Sequence, residues 1–147
     1  MAAIKRAEAN WTGSLATGSG TVTAISSATF SSLPVSWAAR TESSNGQTSP
    51  EELLAAAHAA CFAMALSGAL GRAGTTPDRL EVSADVTFDK VDDGWRVASS
   101  ALTVRGWVPG STTADFLAAA ESTRDGCPIS QALKGNVELS IEATLER

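Results

Sequence analysis

The sequence predicts an α+β domain in which antiparallel hairpins gather around one long, buried helix. Three observations carry this. Segments that alternate apolar and polar residues, bounded by turn chemistry, recur at 3–11, 20–25, 79–90, 95–107 and 137–145, the period of strands with one covered face. Residues 53–70 are apolar or small on every side, the composition of a helix buried all round. The resulting order, β-β-β-α-β-β-α-α-β, joins neighbouring strands by short turns, which favours antiparallel pairing.

In chain order, 3–11 and 20–25 form a hairpin across Thr12-Gly13 and Gly18-Ser19-Gly20. Residues 28–37 read as a broken third strand that Pro34 confines to an edge or bulge. Residues 38–47 are polar and end in Asn45-Gly46, which predicts a loop or a frayed strand end. The central helix then begins. Pro50 suits its first position, Ser49 its N-cap, and Glu52 falls where a capping box would close. Gly71 and Gly74 mark its end, with Arg72 in the last turn. After the turn at Thr75-Thr76-Pro77-Asp78, strand 79–90 places Leu80, Val82, Ala84, Val86 and Phe88 on one face. Asp92-Asp93-Gly94 turns into strand 95–107. Ser111 or Thr112 caps a helix over 114–124, Gly126-Cys127-Pro128 stops it and starts a short helix over 129–134, and strand 137–145 follows.

A length of 147 residues suits one domain, and 44% hydrophobic with 18% charged residues is ordinary for a globular chain. The net charge is −5 and no basic cluster exceeds Lys5-Arg6, which argues against a nucleic-acid partner. MAAIKRAEANW has no apolar segment of the kind a secretory signal needs, so a cytoplasmic location is expected. There, two Cys are expected to be chemical rather than structural. The run 53–70 reaches the lower limit for a membrane span. Ala supplies much of it, His58 and Ser67 interrupt it, and no second hydrophobic segment or flanking Lys/Arg cluster accompanies it. A helix packed on a sheet, or on its own copy in a dimer, is the better expectation.

Cys61 taken alone is a small buried hydrophobe. Two features argue for more. His58, the only His, lies three residues earlier, on the same face and within side-chain reach. Cys127 immediately precedes a Pro-started helix, where orphan N–H groups and the dipole favour a thiolate. A permanent disulfide between 61 and 127 would contribute about 4 kcal/mol in the chain-entropy model, yet a cytosolic setting favours a bridge that cycles. A Cys-His hydrolase dyad lacks an orienting Asn or Asp and a nucleophile elbow. A metal site lacks ligands, one His and two Cys being too few unless carboxylates join them. Glu51 could be merely a first-turn carboxylate and Arg40 a surface cation. An ionised thiol in an apolar pocket, however, needs a cation, because burial alone raises its pKa. No Lys lies between Lys5 and Lys90, so Arg40, oriented by a carboxylate such as Glu51, is a candidate.

These residues resemble the osmotically inducible protein C (OsmC) family, relatives of the organic hydroperoxide resistance proteins. T-S-P-E-E-L-L-A-A-A-H-A-A-C-F at 48–62 and G-C-P-I-S-Q-A-L at 126–133 carry the resemblance, with weaker similarity at Gly13, Gly18, Thr75-Thr76-Pro77 and 85–93. An Arg just ahead of the T-S-P-E motif points to the OsmC branch. The resemblance implies a single domain over 1–147 and an intertwined homodimer whose sheets wrap paired central helices, with sites at the subunit interface. It implies a thiol-dependent peroxidase acting on organic hydroperoxides, and on hydrogen peroxide more slowly. Cys61 would be peroxidatic and Cys127 resolving, Arg40 and Glu51 the activating pair, with no metal or other cofactor and a small or lipoyl-type dithiol as reductant. Leu54, Phe62, Met64 and Trp37 are the residues expected to give an apolar lining. The alternative is a non-enzymatic redox switch or small-ligand binding protein on the same fold. Helix geometry adds one expectation. Glu51 and Cys61 on one straight helix are roughly 15 Å apart along its axis, so Glu51 is expected to serve the Cys61 of a partner subunit.

Overall fold

The computed structural model describes all residues, Met1–Arg147. They form two compact units, Met1–Leu53 and Leu54–Arg147. In the first unit, β1 (Ala7–Thr12) pairs antiparallel with β2 (Ser19–Ala24), which pairs antiparallel with β3 (Leu33–Val35), in the order β1-β2-β3. Pro34 sits in the edge strand, as a residue without an N–H must.

The polar stretch after β3 departs from expectation. Trp37–Thr41 is a helix, α1, not a loop or strand end. Ser36 causes it: its backbone is extended and its hydroxyl accepts the Ala39 N–H at 3.1 Å. Ser36 Oγ also donates to Gln47 Oε1 at 2.7 Å, tying the segment's two ends together. A Ser cap followed by Trp-Ala-Ala-Arg is enough to close one helical turn where strand pairing has already ended.

Helix α2 spans Pro50–Arg72. Ser49 Oγ accepts the Glu52 N–H at 3.1 Å, as an N-cap should. The Glu52 carboxylate does not complete the box at Ser49; it accepts the Thr48 hydroxyl at 2.7 Å. At the other end Gly74, at φ +85°, donates to Gly71 C=O at 3.0 Å, and Thr75 N–H to Leu70 C=O at 2.9 Å. This is a Schellman motif, with Gly where the left-handed backbone demands it.

In the second unit, β4 (Arg79–Val91) and β5 (Gly94–Trp107) form the expected hairpin, with Leu80, Val82, Ala84, Val86 and Phe88 sharing the more covered face. Helices α3 (Thr113–Gly126) and α4 (Pro128–Leu133) follow. The last strand, β6 (Glu138–Leu145), pairs with β5 in parallel, so the sheet is mixed and not wholly antiparallel. Parallel pairing needs a crossover long enough to return the chain, and α3 with α4 supplies it. Gly106 of β5 is required where α3 crosses: a Cβ there would lie 2.5 Å from the Phe116 ring.

The core joins Phe62, Leu66 and Leu70 of α2 to Leu102 and Val104 of β5, Phe116 and Ala120 of α3, and Cys127. Helix α2 is therefore not buried all round. His58, Phe62, Leu66 and Leu70 form its buried stripe at four-residue spacing, whereas Ala56, Ala57 and Ala60 are exposed and Met64 is 71% exposed. The Ala-rich face is apolar by composition, not by burial within this chain. By length and composition alone α2 could cross a membrane; its stripe is committed to the core.

Candidate active site

Two clusters hold the sequence-predicted residues, one in each unit. In the second unit the chain brings Cys61 and Cys127 together as free thiols. Cys127 occupies the junction of two helices. Its N–H donates to Thr123 C=O at 3.0 Å, ending α3, and its Sγ accepts the Ser130 N–H at 3.4 Å, capping α4. Gly126 and Pro128 make that junction: one releases the first helix and the other starts the second at a position that needs no N–H. Cys127 is buried, and Cys61, one helical turn beyond His58, is half-buried.

The Cys61 thiol is pushed up from its ordinary pKa, first by burial. A hydrogen bond from the Ile129 backbone pulls it down, and Cys127, through a hydrogen bond and its charge, pushes it up again. The surroundings supplied by this unit therefore favour the neutral thiol. An electrophile-seeking thiolate at neutral pH needs a further cation.

His58 is placed differently from expectation. It does share a helix with Cys61, but its ring points into the core and both nitrogens go to serines. Nδ1 lies 2.7 Å from Ser100 Oγ, and Nε2 lies 2.8 Å from Ser130 Oγ. Ser130 Oγ in turn lies 3.0 Å from Cys127 Sγ. The imidazole thus reaches the second Cys through a hydroxyl, not the first directly. Burial lowers its pKa, which keeps it neutral. Sequence reasoning missed Ser100 and Ser130; the only signal for Ser130 was its place three residues after a cap, the position that faces a capping side chain.

In the first unit, Arg40 and Glu51 form the expected pair. Arg40 Nε donates to both Glu51 oxygens at 2.9 and 3.1 Å, and Nη2 lies 2.8 Å from Oε1. Glu51 is buried at the start of α2 and Arg40 ends α1, so the unexpected helix is what aims the guanidinium. The Arg40 guanidinium lies over the Trp37 ring, its central carbon 5.9 Å from the ring centroid. A cavity of about 310 Å³ opens here, lined by Trp11, Leu15, Val35, Trp37 and Pro50 with Ser36 and Arg40 at its polar side. Of the residues expected to line an apolar pocket, Trp37 does so here. Phe62 does not line one: it is fully buried in the core of the second unit. Leu54 is half-buried and Met64 is exposed on α2. Trp11 and Leu15 were not anticipated because strand and loop residues so distant in sequence converge only through the hairpin. No group of three or more His, Cys, Asp or Glu is arranged to hold a metal ion.

The OsmC-like protein family profile matches residues 43–142. Peroxiredoxin OsmC of Escherichia coli (strain K12) is 41% identical over 142 residues, covering 97% of this chain and 98% of the relative. Organic hydroperoxide resistance protein OhrA of Bacillus subtilis (strain 168) is 33% identical over 97 residues, covering 65% of this chain and 66% of that protein. Among solved structures, the organic hydroperoxide resistance protein OhrB of Bacillus subtilis superimposes with a TM-score of 0.70 at 24% identity, covering 96% of this chain and 98% of that one. A protein of the same description from Elizabethkingia anophelis gives 0.72 at 23% identity, covering 100% and 99%. At these identities the structural likeness establishes the fold.

Proposed function

This chain belongs to the OsmC-like protein family, and from that premise we propose that it is a Cys-based, thiol-dependent peroxidase that reduces organic hydroperoxides to alcohols. The observation that carries the reading is the adjacency of two free thiols in unlike settings, Cys61 half-buried on α2 and Cys127 capping α4. The Cys61 thiolate attacks one peroxide oxygen, the O–O bond breaks, and the alkoxide leaves with a proton as alcohol. Cys61 is left as a sulfenic acid, which Cys127 converts to a disulfide with release of water. A small or lipoyl-type dithiol then returns both thiols. No metal or organic cofactor enters these steps.

Arg40, held by Glu51, is the cation that keeps Cys61 ionised and meets the charge developing on the peroxide oxygen. The apolar cavity beside Arg40 suits an alkyl group better than bare hydrogen peroxide, which would react more slowly. We read residues 1–147 as one OsmC-like domain, because the relative from Escherichia coli is matched over 97% of the chain. The active form is a homodimer. Two surfaces favour it: the exposed Ala56, Ala60 and Met64 face of α2, and β1, exposed along its whole length. A cycle that must return a disulfide to two thiols suits the reducing cytoplasm.

The test is a multi-turnover assay with cumene hydroperoxide and dithiothreitol. Many equivalents of peroxide consumed per subunit are expected. Consumption that stops after one equivalent, with dithiol still present, would replace the enzyme by a redox switch.

A further inference from the structure

The proposed cycle accounts for four side chains and leaves a fifth group unused. His58 is fully buried, and its two hydrogen bonds, to Ser100 of β5 and Ser130 of α4, lead on to Cys127 Sγ. Ser100, Ser130 and Cys127 are themselves almost completely buried. A plain core histidine would need partners for its nitrogens, but nothing in that need requires the chain to end on a sulfur.

Resting on the peroxidase reading, the geometry points to a proton relay, Cys127 Sγ to Ser130 Oγ to His58 Nε2, that discharges the resolving thiol as the disulfide forms. Ser130 touches the reacting sulfur; His58 acts through it as a positioning and proton-accepting residue. With the Nδ1 proton donated to Ser100 Oγ, Nε2 accepts from the Ser130 hydroxyl, and Ser130 Oγ accepts from the Cys127 S–H. As Cys127 Sγ attacks Cys61 Sγ, the S–S bond forms and the Cys127 S–H and Cys61 S–O bonds break. The thiol proton passes to Ser130 Oγ while the Ser130 proton passes to Nε2. The departing hydroxide takes one proton from solvent and leaves as water, and the imidazolium gives one proton back to solvent, restoring neutral His58. Reactants and products balance as sulfenic acid plus thiol giving disulfide plus water, with no outside oxidant.

The same heavy-atom positions serve before and after transfer. Once Cys127 is a thiolate, the Ser130 N–H and hydroxyl both donate to it, and Nε2–H donates to Ser130 Oγ. Charged groups near the relay are Lys134, which caps the far end of α4, and Arg124 and Asp125 of α3. Helix α2 presents Cys61, and β5 presents neutral Ser100. Helix α4 has no acidic residue in its first turn and no basic one in its last, and the Arg124 and Asp125 of α3 are paired with each other. Burial lowers the His58 pKa and keeps the ring neutral at rest, so the imidazolium formed in the relay is short-lived.

The experiment separates the two steps by rapid quench, following dimedone-trappable sulfenic acid and disulfide by mass spectrometry after one equivalent of cumene hydroperoxide. Two variants are compared with wild type, Ser130→Ala and His58→Gln, the latter keeping hydrogen-bonding capacity but no proton-accepting nitrogen. Both are expected to form sulfenic acid within about threefold of the wild-type rate and the disulfide at least tenfold more slowly. In both, disulfide formation should become faster as pH rises, since only solvent base can then take the thiol proton, while the wild-type rate changes far less. That pH slope would not arise from a structural role. Disulfide formation at the wild-type rate in a folded Ser130→Ala protein overturns the relay while leaving the peroxidase reading intact. Absence of sulfenic acid in the wild type and in Cys127→Ser overturns both.

Discussion

At the scale of single residues, the two sulfurs sit in unlike settings, and the proposed cycle gives them different work. Cys61 is half-buried and carries a thiol that burial makes reluctant to ionise, whereas Cys127 is buried, accepts the Ser130 N–H at a helix start and lies 3.0 Å from the Ser130 hydroxyl. Cys61→Ser is therefore expected to abolish peroxide consumption. Cys127→Ser should react once and accumulate a sulfenic acid; dimedone attached to Cys127 in an active Cys61→Ser protein would reverse the roles. Arg40 should be legible in the pH profile. Its proposed task is to pull down a pKa that burial has raised, so Arg40→Leu should move the midpoint for sulfenic acid formation to higher pH. The rate lost near neutrality should return as pH rises; an unmoved midpoint would remove Arg40 from the site. Cys127 and Glu51 could be singled out from sequence because each stands at a Pro-started helix, whereas Cys61 and Arg40 are singled out by the family resemblance and by the scarcity of other cations, with no local signal of their own. Ser100 could not, since nothing local to a strand serine says which buried ring it will meet.

At the scale of elements, the helix ends were readable and the burial of their faces was not. Ser49, Pro50 and Gly74 occupy the positions their chemistry suits, because caps are set within four or five residues. Ser49→Ala should cost about 1 kcal/mol in denaturant unfolding, since the Glu52 N–H loses its acceptor; an unchanged midpoint would mean that the cap contributes nothing. Gly106→Ala should cost more. Its Cβ would enter the Phe116 ring, and a fully buried aromatic has no free space into which to move. Helix α1 escaped notice because a five-residue turn has no periodicity, and only Ser36 announces it. The α1 segment also completes the cavity beside Arg40. An alkyl hydroperoxide should exceed hydrogen peroxide in kcat/KM by at least tenfold, about 1.4 kcal/mol of differential transition-state binding. Equal values would mean that the apolar walls play no part.

At the scale of the whole molecule, the α+β class followed from strand periodicity and one dominant helix, while the parallel pairing of β6 did not, because period-two alternation carries no direction. The apolar composition of α2 also carried a message the single chain leaves unanswered. One stripe enters the core, and the opposite face, with Ala56, Ala60 and Met64, is apolar and exposed. A second copy of the chain is the proposed cover, and helix geometry says what that copy would contribute. On one straight helix, Glu51 and Cys61 would lie roughly 15 Å apart along the axis and about 80° apart around it. Arg40 is committed to Glu51 through both carboxylate oxygens. The pair is accordingly expected to activate Cys61 of the partner subunit. Cys61→Ser and Glu51→Gln should each be inactive as homodimers. Mixed under conditions that exchange subunits, they should form a heterodimer in which one site regains an intact Cys61 together with an intact Glu51 from the other chain. Activity should return to as much as half the wild-type value per heterodimer. Purified heterodimers as inactive as their parents would place Arg40 and Glu51 in service of their own chain's Cys61, and would require α2 to bend between the two.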